Sequence, residues 1–389
     1  DTALTATGNT ARLVEGTAGS VSGVNMMATN AFGGAAAYTA TENAVTVAAA
    51  GVVTDSVAGA LINQQNTSAD GTSFTAAAAK NTVANTGGTV KKVMGASVTL
   101  QANHAGDVQA TLTENAVTGT GGTFAGDVRG GIADLFAERG TATATLTKSR
   151  VDLTNAALDN AHIRAGDAFA HTRAAGKTAS AASNENVLQL KNASGTAQEL
   201  IGGAASGTAE RAGATAAADS NSVTLEGGTL TAANKVYGGK TEAVGSDAPV
   251  TAAATANTVT LSAAAPWQAV YGADAYATAV NAAATARTEG NTVTADAGTF
   301  LGQLYGGDSY ASTDSAGSGT PGTASAVATG NTLNLAAAAV TNGESYGGYA
   351  SAGSTTGDVS LTVTQNKVLG THGTTAEVDG AYGSLEQTA

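Results

Sequence analysis

Residues 221–239, NSVTLEGGTLTAANKVYGG, carry two marks that recur along the whole chain of 389 residues. The first mark is an Asn followed by alternating apolar residues, as in Asn221, Val223 and Leu225. The second mark is Tyr237 followed by two glycines. Alternation with a period of two is typical of a β-strand, and consecutive glycines are typical of a sharp bend in the backbone.

The first mark returns at intervals of 34 to 40 residues. The position two residues after it is apolar in each copy, from Ala11 to Val368. A fixed period of this size indicates a repeat architecture. The copies fall at Asn9, Asn43, Asn81, Asn115, Ser149, Glu185, Asn221, Asn257, Asn291, Asn331 and Asn366.

The second mark follows the first at an offset that is nearly constant after the first copy. A Gly comes next in most copies, often as a pair. The residues before the glycines are Phe32, Ala58, Met94, Arg129, Arg164, Ile201, Tyr237, Tyr271, Tyr305, Tyr346 and Tyr382.

The repeat predicts an all-β protein, a parallel β-helix or β-solenoid of about eleven repeats of roughly 36 residues each. Helical repeats would need apolar spacing of 3.6 residues, and a propeller typically closes with 4–8 blades. At about 4.8 Å per coil, eleven coils form a rod of roughly 50 Å. We expect one domain over 1–389, with an irregular first repeat at 1–42, charged and less regular repeats at 129–177, and regular repeats at 185–389.

Four segments conflict locally with this pattern. The Ala-rich runs 76–79 and 336–339 favour helix by propensity, but they keep the register of the repeat and are therefore expected to be strands. Residues 131–140 are expected to add a short helical turn. Residues 21–29 are expected to form an extra loop.

The composition excludes several classes of protein. The chain has no Cys, so disulfides and thiolate zinc sites are excluded. The formal net charge of −13 argues against nucleic acid as a partner. No apolar run is long enough for membrane insertion of this segment. The first residues do not resemble a signal peptide, so we expect a mature or excised product. No cofactor and no metal site is expected.

The Asn column has the same parity as the neighbouring valines, so its side chains are expected to point inward and stack from coil to coil. An amide can donate to one neighbour and accept from the other, which predicts a structural Asn ladder. The ladder comprises Asn43, Asn81, Asn115, Asn221, Asn257, Asn291, Asn331 and Asn366.

The Tyr column offers two interpretations. If exposed, the rings form an aromatic strip that suits sugar rings or another protein; if buried, they cap the thin core at the bend. Because Phe32, Met94 and Ile201 occupy the same column, packing is favoured over binding. The column comprises Tyr237, Tyr271, Tyr305, Tyr346 and Tyr382.

The segment 162–171 holds the one cluster of His, Arg and Asp: His162, Arg164, Asp167 and His171. Acid–base or metal chemistry would need these groups to converge on one face. Their spacing favours a solvated charged loop instead. His104 and His372 stand apart from this cluster.

The marks Asn257–Leu261 and Val236–Gly239, with variants at Leu304–Gly307 and Ser345–Gly348, resemble the repeats of autotransporter-type (type V secreted) passenger regions of Gram-negative bacteria. The resemblance covers nearly the whole chain and is clearest from residue 185 onward. It implies a β-solenoid exported to the cell surface, commonly as an adhesin. The last residues, 384–389, imply that the chain corresponds to the passenger region alone.

We therefore expect an extracellular structural or adhesive β-solenoid of the bacterial surface that is not an enzyme. Its partner would be a host or bacterial surface protein or glycan, bound through segments such as 129–177 and 308–325. The alternative is a filament subunit that stacks head to tail with copies of itself through open solenoid ends. A glycan-cleaving β-helix enzyme is the least favoured hypothesis, because it would need converging acids in a cleft and the acids of this chain are scattered.

Overall fold

The computed structural model of the chain describes residues 2–30, 35–66, 73–104, 106–263, 265–315, 322–341, 343–370 and 377–387. The regular elements within these ranges are β-strands. A search of the same ranges finds no helix that could span a membrane. Phe32 and His372 lie outside the described residues.

The strands form eleven coils in the described residues. A typical coil has a first strand of about six residues, a short second strand and a long third strand; in coils 1 and 2 the second and third strands are continuous. The strands of coils 1 to 11 are, in order, Thr2–Thr7, Thr10–Asn30; Ala36–Thr41, Ala44–Asn66; Phe74–Ala79, Thr82–Thr86, Thr89–Ala102; Val108–Thr113, Ala116–Thr120, Thr123–Ala137; Ala142–Thr147, Arg150–Thr154, Ala157–Thr172; Ala179–Asn184, Val187–Lys191, Ser194–Ala209; Ala214–Asp219, Ser222–Glu226, Thr229–Ser246; Val250–Thr255, Thr258–Leu261, Pro266–Val280; Ala284–Glu289, Thr292–Tyr305, Asp308–Asp314; Ala324–Thr329, Thr332–Thr341, Glu344–Ser354; and Val359–Thr364, Lys367–Gly370, Glu377–Gln387.

Each strand pairs in parallel with the corresponding strand of the next coil. The first strands build an 11-stranded sheet, and the second and third strands build a 20-stranded sheet. The register follows the repeat, so that Val223 pairs with Val259 and Tyr237 with Tyr271. The chain is therefore an all-β parallel β-solenoid with one repeat per coil, and this prediction is confirmed.

A two-residue corner joins the first strand to the second strand in all eleven coils that the structure describes. Its first residue has a positive φ, between 53° and 69°. Only three of these residues are Gly, and a left-handed conformation costs other residues about 1 kcal/mol or more. The surrounding hydrogen bonds must therefore impose this conformation. The corner residues with positive φ are Gly8, Glu42, Lys80, Glu114, Lys148, Glu185, Ser220, Ala256, Gly290, Gly330 and Gln365.

The second corner residue points inward and forms an amide ladder. The Asn257 side chain accepts hydrogen bonds from the backbone N–H of Asn221 at 2.9 Å and from its Nδ2 at 3.0 Å. Nδ2 of Asn257 donates to Asn291 Oδ1 at 3.0 Å and to the carbonyl of Ala218 at 2.8 Å. The buried amide is thus saturated by the coils on either side.

The ladder corrects one position of the sequence alignment. Glu185 was assigned to the Asn column, but it is the left-handed corner residue, and Asn186 takes the ladder position. Leu188, rather than Val187, consequently pairs with Val223 in the core. Ser149 keeps the ladder position in coil 5, where its backbone N–H donates to Asn186 Oδ1 at 2.9 Å.

The interior of the coils is divided into two lobes. The lobe between the first strands and the end of the long strands is filled mainly by alanines, including Ala252 and Ala277. The lobe between the second strands and the start of the long strands holds larger groups, such as Val259, Leu261 and Trp267. Narrow lobes explain how a chain with 4% aromatic residues forms a continuous core.

The glycine pair of the second mark lies where the two lobes meet. A Cβ atom added to Gly239 would lie 2.5 Å from Nδ2 of Asn257, and one added to Gly238 would lie 2.4 Å from the carbonyl oxygen of Gly272. The long strand therefore bends directly against the Asn ladder on its inner side and against the next coil along the axis. The two sequence marks come together at this one place, the glycine bend.

Pairing between coils determines the structure of the four segments in which the local pattern and the repeat conflict. Residues 76–79 and 336–339 lie in strands, as the repeat predicted. The helical turn expected at 131–140 is wrong, because Gly131–Ala137 pairs in parallel with coils on both sides. The loop expected at 21–29 is also wrong, because this segment pairs with the second coil as part of a long strand.

The connections from each long strand to the next first strand vary in length. The shortest connections have three residues, as at 281–283, and the longest has nine, at 315–323. The Asn corner, by contrast, has two residues in every described coil. Differences in repeat length therefore arise largely at one corner of the solenoid.

Candidate functional site: the axial groove

The glycine bend creates a groove on the outside of the solenoid, which we call the axial groove. Val270 and Ala273 face the two lobes of the core, so Tyr271 and Asp274 on either side of the bend face outward. Outward side chains from the two sides nevertheless touch, as Tyr305 and Tyr349 do with 5.7 Å between ring centroids. A bend that brings outward side chains together is concave toward solvent.

Two columns of side chains line the axial groove. The column before the bend consists of Ser22, Ala58, Met94, Arg129, Arg164, Ile201, Tyr237, Tyr271, Tyr305, Tyr346 and Asp379. The column after the bend consists of Asn25, Leu61, Ser97, Ile132, Asp167, Ala204, Lys240, Asp274, Asp308, Tyr349 and Tyr382.

The register corrects both ends of the Tyr column. Ser22 occupies the first position, which the sequence had assigned to Phe32. Tyr382 pairs with Tyr349 in the column after the bend, while Asp379 pairs with Tyr346. The sequence placed Tyr382 by its resemblance to the mark Tyr-Gly-Gly, but the last coil is shifted by three residues.

The four remaining tyrosines form a buried stack. Tyr237 is 4% exposed, and Tyr271, Tyr305 and Tyr346 are buried as well. Ring centroids along the stack are 4.9, 5.2 and 5.3 Å apart. The rings of Tyr237 and Tyr271 stack face to face, as do those of Tyr305 and Tyr346, whereas the rings of Tyr271 and Tyr305 are tilted by 58°. A ligand in the groove would therefore meet mainly ring edges and hydroxyl groups. The ligand role of the column stays a prediction, and a flat aromatic strip is not what these four rings present.

The phenols of Tyr237, Tyr271 and Tyr305 remain protonated over the ordinary pH range. Burial raises the pKa values of Tyr237, Tyr271 and Tyr305. The charge of Asp308 raises all three further, and that of Asp274 raises those of Tyr237 and Tyr271. A Tyr hydroxyl can therefore donate a hydrogen bond, as Tyr271 does to Oε1 of Gln303 at 2.9 Å. These three phenols can supply hydrogen-bond donors, but no anionic oxygen at neutral pH.

Two half-buried carboxyl groups, Asp274 and Asp308, lie on adjacent coils beside this stack. Burial raises the pKa of Asp274 to about 6, against the opposing charges of Lys240 and Lys235. Burial and the charge of Asp274 raise the pKa of Asp308 well above its usual value. Sequence reasoning missed both residues, although each stands three positions after a Tyr of the second mark.

A charged network occupies the groove in coils 4 to 7. Oδ2 of Asp167 accepts hydrogen bonds from Nη1 of Arg129 at 2.9 Å and from Nη1 of Arg164 at 2.8 Å. Glu199 accepts from Arg164 Nη2 at 2.6 Å and lies 3.6 Å from Nζ of Lys240. Burial alone would raise the pKa of Glu199, but the charges of Arg164 and Lys240 hold it below its usual value.

This network overturns the expectation of a solvated charged loop at 162–171. The segment belongs to the strand Ala157–Thr172, and Asp167 is fully buried. His162 remains exposed, and His171 packs edge-on against Phe136 with centroids 5.2 Å apart. Arg164 and Asp167 therefore converge in the groove, whereas the two histidines stay outside it.

Among the described residues, no group of three or more His, Cys, Asp or Glu side chains is arranged to hold a metal ion. The groove can instead form charge-assisted and neutral hydrogen bonds with a bound molecule. No family model, curated protein or solved structure matches the chain. The groove itself is therefore the basis for a functional proposal.

Proposed function

We propose that the protein is an extracellular structural and adhesive β-solenoid of a bacterial surface, without catalytic activity. The observation that carries this proposal is the parallel stacking of successive coils around the Asn ladder. Such stacking favours a stiff rod, which suits a molecule that holds a binding surface away from a cell. The absence of Cys from the sequence and its acidic charge agree with this location.

The axial groove is the surface that best supports adhesion. The sequence predicts specificity in segments 129–177 and 308–325, but most of the first segment is strand, and residues 316–321 of the second lie outside the described residues. The groove combines opposite charges, tyrosine hydroxyls and two half-buried carboxyl groups along several coils. A surface protein or glycan with alternating polar groups fits such a lining.

Adhesion of coated beads tests this proposal. Beads that carry the protein are expected to bind bacterial or epithelial cells, and Lys240→Glu is expected to reduce binding severalfold because it reverses a charge in the groove. Arg287→Glu makes the same change on the outer face of the 11-stranded sheet and is the matched control. Equal binding by both variants would place adhesion elsewhere, and no binding by the wild type would contradict the proposal.

Two alternatives are separated from this one by simple observations. Self-assembly through coil ends stays an alternative, and negative-stain microscopy over a concentration series would reveal it as long fibres of uniform width. Single short rods at every concentration would contradict it. Release of reducing sugars from a polysaccharide panel, lost on Asp167→Asn, would favour a glycan-cleaving enzyme and overturn the non-catalytic proposal.

A further inference from the structure

A cavity opens into the axial groove between coils 5 and 7, where the column after the bend reads Asp167, Ala204, Lys240. Its volume is about 170 Å³. The short side chain of Ala204 creates the space, since the same column holds Leu61 in coil 2 and Ile132 in coil 4. The cavity is thus a local departure from a column that elsewhere accepts large apolar groups.

The inner end of the cavity holds a carboxylate with unused hydrogen-bonding capacity. Asp167 is 0% exposed, and its Oδ2 takes both guanidinium hydrogen bonds. Its other oxygen, Oδ1, is buried and has no hydrogen-bond partner, and neither has Nε of Arg164. A buried, unpaired carboxylate oxygen is destabilising, so a ligand that donates a hydrogen bond to it would gain affinity.

The remaining walls offer an apolar surface and a balance of charges. Phe169 is half-buried at the cavity, and Ser206 provides a hydroxyl group beside it. Lys240 and Glu242 carry opposite charges at the mouth, as Arg164 and Asp167 do inside. A ligand with net charge would meet repulsion from one member of each pair. A neutral ring with several hydroxyls and one C–H face satisfies both donors and acceptors.

We propose that this cavity binds a single ring of a neutral hexose, as the terminal sugar of a glycan. A sugar hydroxyl donates to Asp167 Oδ1, another accepts from Arg164 or Lys240, and the C–H face of the ring packs on Phe169. The volume admits about one ring. This inference rests on the proposed adhesive function and names the class of ligand.

Ligand-observed NMR with the full chain tests the assignment. The probes are the methyl glycosides of glucose, galactose and mannose, with galacturonic acid and N-acetylneuraminic acid as charged comparisons. We expect saturation transfer to at least one neutral glycoside and none to the acidic sugars. Binding of the acidic sugars alone, or of none of the five probes at millimolar concentration, would overturn the proposal.

Two substitutions locate the binding. Ala204→Leu fills the cavity with a side chain that the same column already accepts in coil 2, and Ser206→Tyr blocks the mouth with one that its column accepts at Tyr276 and Tyr310. Each is expected to weaken binding at least about tenfold. Ser97→Leu is the matched control, three coils away in the same column as Ala204, and should bind as the wild type does.

Unchanged binding by both Ala204→Leu and Ser206→Tyr would move the sugar site away from this cavity. The result is independent of the adhesion experiment. If beads adhere but no probe binds, the cavity proposal fails and the adhesive proposal stands; if probes bind but beads do not adhere, the reverse holds.

Discussion

The inner and outer sides of the glycine bend lie on opposite faces of the same backbone, yet they repeat with very different strictness. On the inner side, the ladder position is Asn in ten of the eleven described coils, with Ser149 as the exception. On the outer side, the column before the bend includes Ala58, Arg164 and Tyr237. A position whose side chain hydrogen-bonds to the same position in neighbouring coils is restricted in residue type, whereas a position facing the groove can vary.

The largest expected effect comes from the bend itself, which both sides share. Gly238→Val would place a Cβ atom 2.4 Å from the carbonyl oxygen of Gly272, so two coils must separate. We expect a loss of more than about 4 kcal/mol in the free energy of unfolding. Gly19→Val is the control, because nothing lies within 4 Å of its added Cβ. Chemical denaturation measures both, and equal midpoints would refute the close packing of the bend.

The second effect tests the inner side alone. Asn257→Ala removes a buried amide and leaves donors of Asn221 and the Oδ1 of Asn291 short of partners. We expect the free energy of unfolding to fall by about 3 kcal/mol, as measured by chemical denaturation. Asn257→Ser should lose about as much, since the hydroxyl of Ser149, which occupies this position in coil 5, is buried without a hydrogen-bond partner. If Ala and Ser behave alike and cost under about 1 kcal/mol, the ladder does not stabilise the stack.

The smallest effect tests the outer side through pH. Burial raises the pKa of Asp274 to about 6, above the value of about 3.9 for an unfolded Asp. A carboxyl group with a raised folded-state pKa favours folding when protonated, so its contribution is lost as the pH rises from about 4 to about 6. The charged groups around Asp274 act in opposite directions. Lys240 and Lys235 lower its pKa, whereas Glu242 raises it, and Asp308 lies beside it on the next coil.

We therefore expect the free energy of unfolding of Asp274→Asn, relative to that of the wild type, to rise by about 1–2 kcal/mol when the pH is raised from 4.5 to 7.5. Denaturation midpoints at the two pH values measure this difference. Asp159→Asn, at an exposed position, is the control and should show no comparable change. A difference of the opposite sign would mean that the groove stabilises the charged form of Asp274.

The fold was predictable because the core requires the same residue type in coil after coil. Val223, Val259 and Val293 stack in one column, and a column of this kind appears in the sequence as a period. The left-handed corner was not predictable, since Glu42, Ser220 and Ala256 share no sequence signal for a positive φ. The misplacement of Glu185 has the same origin, because only the corner geometry shows that the ladder residue is Asn186.

The groove was less predictable than the core because its lining is set by curvature, which a sequence period does not report. Tyr237 and Tyr271 were found through their repeat, but their burial depends on stacking between coils and, at Tyr237, on Lys240 across the bend. Asp274 follows Tyr271 and Asp308 follows Tyr305, each at a distance of three residues, and this spacing was the available signal. The pairing of Arg129 with Asp167 joins different coils and required the structure.

The connections between long strands and first strands bear on how the molecule can be altered. They range from three residues at 281–283 to nine at 315–323, while the strands around them keep their register. A foreign peptide placed at 281–283 should therefore be displayed without disturbing its neighbours. Peptides inserted in successive coils would lie about 4.8 Å apart, so the choice of coils would set the distance between displayed epitopes.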